Sequence, residues 1–182
     1  SAKSDKALFM DAEKEIAYCE RNNIQVLSVS NDNYPRRLKQ CSDAPIILYY
    51  KGNGVLNNPK VISIVGTRAA TSYGKEICNS IVEELSAHNA LIISGLAYGI
   101  DVQAHNASLN NNLPTVGVLA HGLDRMYPSE HSPIANKMIE EGGLLSENRI
   151  GTNPNRENFP KRNRIVAGLS DATIVIESAI RG

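Results

Sequence analysis

The 182-residue chain has no tryptophan, only two phenylalanines and no formal net charge, because 19 Lys and Arg residues balance 19 Asp and Glu residues. A neutral chain has no overall field that attracts nucleic acid or an anionic membrane, so any basic site has to be local. The three cysteines, Cys19, Cys41 and Cys78, form no CxxC pair and no Cys/His spacing. This cysteine usage predicts a reducing compartment and no zinc site.

Long apolar segments are also missing. No run reaches the roughly 18 residues that cross a bilayer, and the N-terminal stretch SAKSDKALFMDAEKEIAYCE is charged and helix-like rather than a signal peptide. We therefore expect a cytoplasmic protein that has no membrane segment. The hydrophobic content of 42% is nevertheless typical of a globular protein with a real core.

From Val61 onward, short β-branched runs alternate with amphipathic stretches, which predicts βαβ units around a parallel sheet. The predicted strands are 61–66, 91–95, 115–120, 143–147 and 172–177, and the predicted helices are 71–89, 101–109 and 132–141. The fold class is therefore α/β, with a Rossmann-like parallel sheet and helices on both faces.

The first 58 residues have a different pattern. An amphipathic helix is followed by a strand at 24–30, by YPRRLKQCSDAPIILYYKG, and by the turn-rich GNGVLNNP at 52–59. We interpret residues 1–58 as a small N-terminal α/β extension that packs on a Rossmann-like core formed by residues 59–182.

Ligands of such sheets bind outside the carboxyl ends of the strands, so the loops that follow the strands are candidate sites. GTR (66–68) places Arg68 just before a helix N-terminus, which favours an anion, and SGLAYGID (94–101) is rich in small residues that let amides approach a phosphate. The predicted phosphate-loop residues are Gly66, Thr67, Ser94, Gly95 and Gly99. The alternative is a surface arginine beside glycines that only permit close packing. Neither loop has the GxGxxG pattern, so we expect no NAD or FAD and no other cofactor.

Asp101 and His105 lie four residues apart on a predicted helix, where they could form an acid–base pair. No nucleophile stands in a matching position, and a pair of this kind more often holds a loop to a helix. His105 and His121 have no metal-ligand company. We therefore predict no catalytic residue and no metal.

The loop that precedes the last strand is locally basic. Five basic residues and one acid, Glu157, lie between Arg149 and Arg164, with Phe159 among them. Cations beside an aromatic ring are typical of single-strand nucleic-acid sites, in which stacking of a base contributes about 1–3 kcal/mol. The alternative is that Phe159 fills a gap in the core and that a solvated charge run leads into a helix at 163–169.

Five motifs in this order, SIVGTR, SGLAYGIDVQAH, GLDRMYP, GLLSE and FPKRNRIVAGLSDATIVIES, resemble the DNA-processing protein A (DprA/Smf) family. The resemblance begins near Asn23 and includes YPRRL and DAPIILYYKG. It implies a positively charged strand-end pocket that binds single-stranded DNA during natural transformation and helps to load the RecA recombinase, without catalytic turnover.

The resemblance also implies which residues bind DNA. They are Arg68, Arg156, Phe159, Lys161, Arg162, Asn163 and Arg164, with Arg149 as an alternative to Arg156. Family members commonly begin with a small helical domain and continue past ESA, so we expect this chain to be a fragment. The homodimer and the RecA contact that the family implies are associated with the C-terminal part of the fold.

Two other readings stay open. Phosphoribohydrolases of the cytokinin-activating LOG type share a related architecture, but their PGGxGTxxE loop is not found in this sequence. A mononucleotide sensor would hold one phosphate between Arg68 and the 95–99 loop. A site for a polymer should bind longer strands more tightly and weaken steeply with salt, whereas a one-phosphate pocket should do neither strongly.

Overall fold

The computed structural model describes residues 2–178, with side chains from residue 6 onward. The helices are α1 (Ala2–Arg21), α2 (Arg36–Lys39), α3 (Ser72–Ser86), α4 (Ile100–Asn110), α5 (Ser132–Glu141) and α6 (Asn158–Gly168), with a short 3-10 helix at Ser129–His131. The strands are β1 (Gln25–Ser28), β2 (Ile47–Gly52), β3 (Val61–Gly66), β4 (Leu91–Ser94), β5 (Thr115–Val118), β6 (Gly143–Ser146) and β7 (Ala172–Ile176). All six predicted strands are present, and their ends differ from the prediction by two residues at most.

One seven-stranded sheet has the order β1-β2-β6-β5-β4-β3-β7. The five strands from β3 to β7 run parallel. The chain moves in one direction from β3 to β6 and then returns to place β7 on the other side of β3, so the strand order reverses between β3 and β7. The predicted Rossmann-like α/β fold is confirmed. β4, β5 and β6 are buried along their whole length, as continuous apolar strands covered on both faces should be.

Helices cover both faces of the sheet. On one face, α3 and α4 pack against Ile64 and Ile92, and α5 packs against Leu144. On the other face, α2 and α6 cover Val118 and Leu145. The alternation of Leu144 and Leu145 between the two layers follows from the two-residue period of a strand.

The N-terminal extension does more than pack on the sheet. Its strand β2 pairs antiparallel with β6, with Tyr49 opposite Ser146, and β1 pairs with β2. The extension therefore lengthens the sheet, because β2 supplies backbone partners to the edge that β6 would otherwise expose. Arg37 also links the extension to the core, because it donates two hydrogen bonds, of 2.7 and 2.8 Å, to the Asp171 carboxylate. The domain boundary at residue 58 stays a prediction.

Helix α1 meets the rest of the molecule through its C-terminal half. Glu15 accepts a hydrogen bond of 2.5 Å from Arg149, and Cys19 packs with Tyr49. The three cysteines are free. In the part of the chain that the structure covers, no helix combines the length and apolarity that a membrane crossing needs.

The last crossover differs from its prediction. The loop expected over 146–164 ends at Glu157, because α6 begins at Asn158 rather than at residue 163. Pro160 is compatible with this start, since amides in the first turn of a helix need no partner within the helix. The basic run from Lys161 to Arg164 is therefore helical, and its side chains point in different directions.

Candidate functional site

An aromatic cluster lies where the strand-end loops meet. It consists of Arg68, Tyr127 and Phe159. The exposed guanidinium carbon of Arg68 is 5.3 Å from the centroid of the Phe159 ring, and the ring of Tyr127 lies 6.0 Å from Phe159 at an angle of 59°. Because α6 begins at Asn158, Phe159 is in its first turn and faces the loop that follows β3. Arg68 therefore forms a cation–π contact at the surface.

A further ring, Tyr98, is presented by the loop after β4. It is 46% exposed, and its centroid lies 5.0 Å from that of His131 in a T-shaped arrangement. Nδ1 of His131 is 2.9 Å from the carbonyl oxygen of Leu96. Neither Tyr98 nor Tyr127 was predicted as a site residue, although both stand in strand-end loops of a chain with few aromatics.

A buried ion pair lies beneath the cluster. The carboxylate of Asp101 is 3.9 Å from Nη2 of Arg162, and these residues are 7% and 5% exposed. Arg162 also donates a hydrogen bond to the carbonyl of Val118 at the end of β5. Burial raises the pKa of Asp101, and the Arg162 guanidinium partly offsets that rise. The charge of Arg162, a predicted DNA contact, is thus held below the surface and shared with a carboxylate.

Asp101 and His105 do not pair with each other. His105 is buried, with Nε2 2.5 Å from the carbonyl oxygen of Gly95 and Nδ1 2.7 Å from Oγ1 of Thr115. Burial lowers the pKa of His105 to about 4, so the ring is neutral at neutral pH. Its role in the structure is to join β5 to the loop after β4. Among the described residues, no group of three or more His, Cys, Asp or Glu side chains is placed to hold a metal ion.

The remaining predicted basic residues differ in whether another residue of the protein already pairs with them. Arg164 contacts the Glu147 carboxylate and donates a 2.8 Å hydrogen bond to the Asp43 carbonyl. Arg149, the alternative to Arg156, is paired with Glu15. Arg68, Arg156 and Lys161 are exposed and form no ion pair within residues 6–178, and Asn163 is also exposed.

The predicted phosphate loops contact each other closely. A Cβ atom on Gly95 would overlap the Asp101 carboxylate and the Arg162 guanidinium. Gly99 has a φ of +80°, which favours glycine, and a Cβ atom there would overlap the backbone of Thr67. These two glycines therefore permit the close packing that was the alternative in the sequence analysis.

Polar groups of the same loops bind within the protein. The amide of Ile100 donates to the Thr67 carbonyl at 3.1 Å, and the Ser94 hydroxyl donates to the Ile64 carbonyl at 2.6 Å. Gly66 lies so close to the carbonyl of Ile176 that no side chain would fit. A phosphate role for these loop residues stays a prediction.

A carboxylate of the protein itself, that of Glu177, already lies at the N-terminus of α3. Thr71 caps the helix by accepting a 3.1 Å hydrogen bond from the Gly74 amide. The Glu177 carboxylate accepts a 2.9 Å hydrogen bond from the Thr71 amide and another from its hydroxyl, and these bonds lower the pKa of Glu177. A phosphate near Arg68 would therefore meet side-chain cations rather than a vacant helix end.

Fold and site together define a class: Rossmann-like α/β proteins that present aromatic rings and surface cations at the carboxyl ends of their parallel strands. The model of the family described as DNA recombination-mediator protein A matches residues 25–182. The chain belongs to this DNA-processing protein A (DprA/Smf) family.

Individual relatives agree with this assignment. The DNA processing protein DprA of Bacillus subtilis is 40% identical over 162 residues, which are 88% of this chain and 54% of that protein. The crystal structure of DprA from Streptococcus pneumoniae has a TM-score of 0.83 at 36% identity, over 97% of this chain and 63% of that one. DprA from Helicobacter pylori, whose structure concerns its single-stranded DNA binding mode, has a TM-score of 0.78 at 29% identity, over 87% and 71%. The chain spans about half the length of the Bacillus subtilis relative.

Proposed function

We propose that this chain binds single-stranded DNA across its strand-end surface, without catalytic turnover. One contact supports the proposal most directly: the guanidinium carbon of the exposed Arg68 lies 5.3 Å from the centroid of the Phe159 ring. Arg68, Arg156 and Lys161 contact phosphates, because among the predicted DNA-binding residues they are the cations that are exposed and form no ion pair in the described part of the protein. The Helicobacter pylori relative binds the same ligand, single-stranded DNA.

In this proposal a base stacks on Phe159, and Arg68 occupies the face of the ring until the strand binds. The guanidinium covers the ring in the structure, with a contact worth about 0.5–1 kcal/mol at an exposed site. A phosphate offers Arg68 a charge-assisted and bidentate contact, which is stronger. When Arg68 moves to a phosphate, the face of Phe159 is free for the neighbouring base.

The other predicted residues act around this centre. Arg162, whose charge is balanced by Asp101, fixes α6 from beneath. Asn163 and Arg164 lie further along the helix, where Arg164 would have to leave Glu147 to contact a phosphate. The loops that contain Gly66, Gly95 and Gly99 hold Arg68 in position through their mutual contacts.

The test is fluorescence anisotropy of a labelled strand of about 15–30 nucleotides across several salt concentrations, with duplex and mononucleotide as competitors. Arg68→Ala should weaken binding to all sequences and reduce the log–log salt slope by about 0.7, whereas Phe159→Ala should weaken binding with little change in slope. Arg36→Ala is the matched control, since Arg36 is exposed and its amide binds Asn57, at the opposite end of the parallel strands. Equal slopes for wild type and Arg68→Ala would contradict the assignment. Equal competition by a mononucleotide would favour a one-phosphate site instead.

For the whole protein we propose delivery of the strand to RecA during DNA uptake, in the cytoplasm and as a homodimer. These proposals depend on family membership, because the chain covers only 54% of its Bacillus subtilis relative. The test compares the whole protein with this chain. Each is bound to a single strand first, and the loading of RecA onto that strand is then measured. Loading by neither protein would contradict the role.

A further inference from the structure

We propose that Tyr98 and Tyr127 are base-stacking residues that extend the site beyond Phe159, so that the surface holds consecutive bases of one strand. This inference depends on the proposed function, and its test separates the two. Nothing in the motif pattern of the sequence singled out either tyrosine. The geometry points to them through their exposure, their ring contacts and the cations beside them.

The two tyrosines are the more accessible rings of the site. Tyr98 is 46% exposed and Tyr127 is 49% exposed, on the loops that follow β4 and β5. Phe159, by contrast, is partly buried and has Arg68 over its ring. A strand that approaches the surface therefore meets the tyrosine rings before it meets Phe159. Tyrosine suits such a position because its ring is apolar while its hydroxyl keeps a polar partner, which for Tyr98 is the Glu130 carboxylate.

Both rings are already held in place. Tyr127 packs against Phe159 at a centroid distance of 6.0 Å, and Tyr98 packs edge-on against His131 at 5.0 Å. The buried His131 is itself bonded to the Leu96 carbonyl. Rings that are fixed before binding lose little side-chain entropy when a base stacks on them. Their placement therefore favours binding in a way that freely rotating surface tyrosines would not.

Cations lie beside the rings. A cavity of about 320 Å³ is lined by Tyr98 together with Arg68 and Lys75 of α3. Arg68 therefore contacts both Phe159 and the cavity, and Lys75 lies in the wall of the same cavity. Burial and the nearby Glu130 carboxylate raise the pKa of Tyr98, so its ring stays an uncharged phenol near phosphates. Aromatic rings beside backbone-tracking cations are the usual composition of a single-strand groove.

The absence of tryptophan makes the test direct. Tyr98→Trp and Tyr127→Trp each introduce a single tryptophan, whose emission is quenched when a base stacks on it. In anisotropy titrations with a strand of about 15 nucleotides, Tyr98→Ala and Tyr127→Ala should each weaken binding about tenfold without changing the salt slope, and the Tyr→Phe variants should bind like wild type. Phe9→Ala is the control, because it removes a ring that is 71% exposed on α1, outside the strand-end loops.

The outcomes are distinguishable. Quenching in both tryptophan variants, with the alanine variants weakened and Phe9→Ala unchanged, supports the inference. If Phe159→Ala and Arg68→Ala lose affinity while both tyrosine variants bind like wild type without quenching, the inference is wrong and the proposed function stands. If wild type does not bind the strand at all, both are wrong.

Discussion

The buried pair of Asp101 and Arg162 allows a quantitative prediction. Asp101→Asn removes the negative charge but keeps the shape, and it leaves the guanidinium of Arg162, which is only 5% exposed, without its counter-charge. Breaking a buried ion pair by removing one partner typically costs about 3–5 kcal/mol. Domains of this size have a free energy of unfolding of about 5–15 kcal/mol. Asp101→Asn should therefore lose a large share of the stability of the fold.

Urea unfolding followed by circular dichroism measures this loss. With a slope of about 2 kcal/mol per molar urea, the midpoint should fall by roughly 2 M. The control is Asp43→Asn, the same chemical change at an exposed carboxylate 3.6 Å from Arg164, and it should change stability by no more than about 0.5 kcal/mol. The double variant Asp101→Asn with Arg162→Met should recover much of the loss, because no unpaired charge then remains buried.

The pH dependence of Arg162→Met gives an independent check. Without the guanidinium, the buried Asp101 should have a pKa further above its ordinary value, so the folded state binds a proton that the unfolded state has released. The stability of this variant should be greatest below the ordinary aspartate pKa and should fall as the pH rises through the raised pKa. The reasoning is refuted if Asp101→Asn costs no more than Asp43→Asn, or if the double variant loses the sum of the two single losses.

Three further predictions concern other parts of the fold. Because the pKa of His105 is lowered to about 4, its neutral form stabilises the fold above pH about 6.5, and that stability is lost as the pH falls through about 4; His105→Gln should flatten the fall of the urea midpoint over this window, and an unchanged profile would contradict it. Thr71→Ala should cost about 1 kcal/mol in thermal unfolding and Thr71→Ser much less, because only the hydroxyl caps α3. Arg37→Lys should lose about 1 kcal/mol in urea unfolding, since lysine cannot bind both oxygens of Asp171; equal midpoints for the arginine and lysine proteins would disprove this contribution.

The parallel core could be predicted from the sequence because its strands are continuous apolar runs between turn signals. Strands such as Leu91–Ser94 are buried on both faces, so their composition alone identifies them. β2 was harder to predict, because ILYYKG contains a lysine and a glycine and its partner strand β6 lies far along the chain. Local propensity carries no information about such a partner.

The site was predictable in its loops but not in the depth of each side chain. The run KRNR, residues 161–164, reads as a solvated surface when the helix is taken to begin at residue 163. With the helix beginning at Asn158, the residues Arg162, Ile165, Val166 and Leu169 follow a helical i, i+3, i+4, i+7 pattern and share the buried face. That pattern was a usable signal for the burial of Arg162. Its partner Asp101, on another helix, could be found only from the fold.

The strand order has a consequence for how the chain folds. β2 lies beside β6 and β7 lies beside β3, and each of these pairings joins residues that are about a hundred positions apart in the chain. During synthesis the hairpin of β1 and β2 is complete long before β6 emerges from the ribosome. Until then, Tyr50 has β1 beside it but not β6, where Leu145 is its partner in the finished sheet. We therefore expect the pairing of β2 with β6 and of β7 with β3 to be slow. Folding is then limited by the joining of distant segments rather than by helix formation.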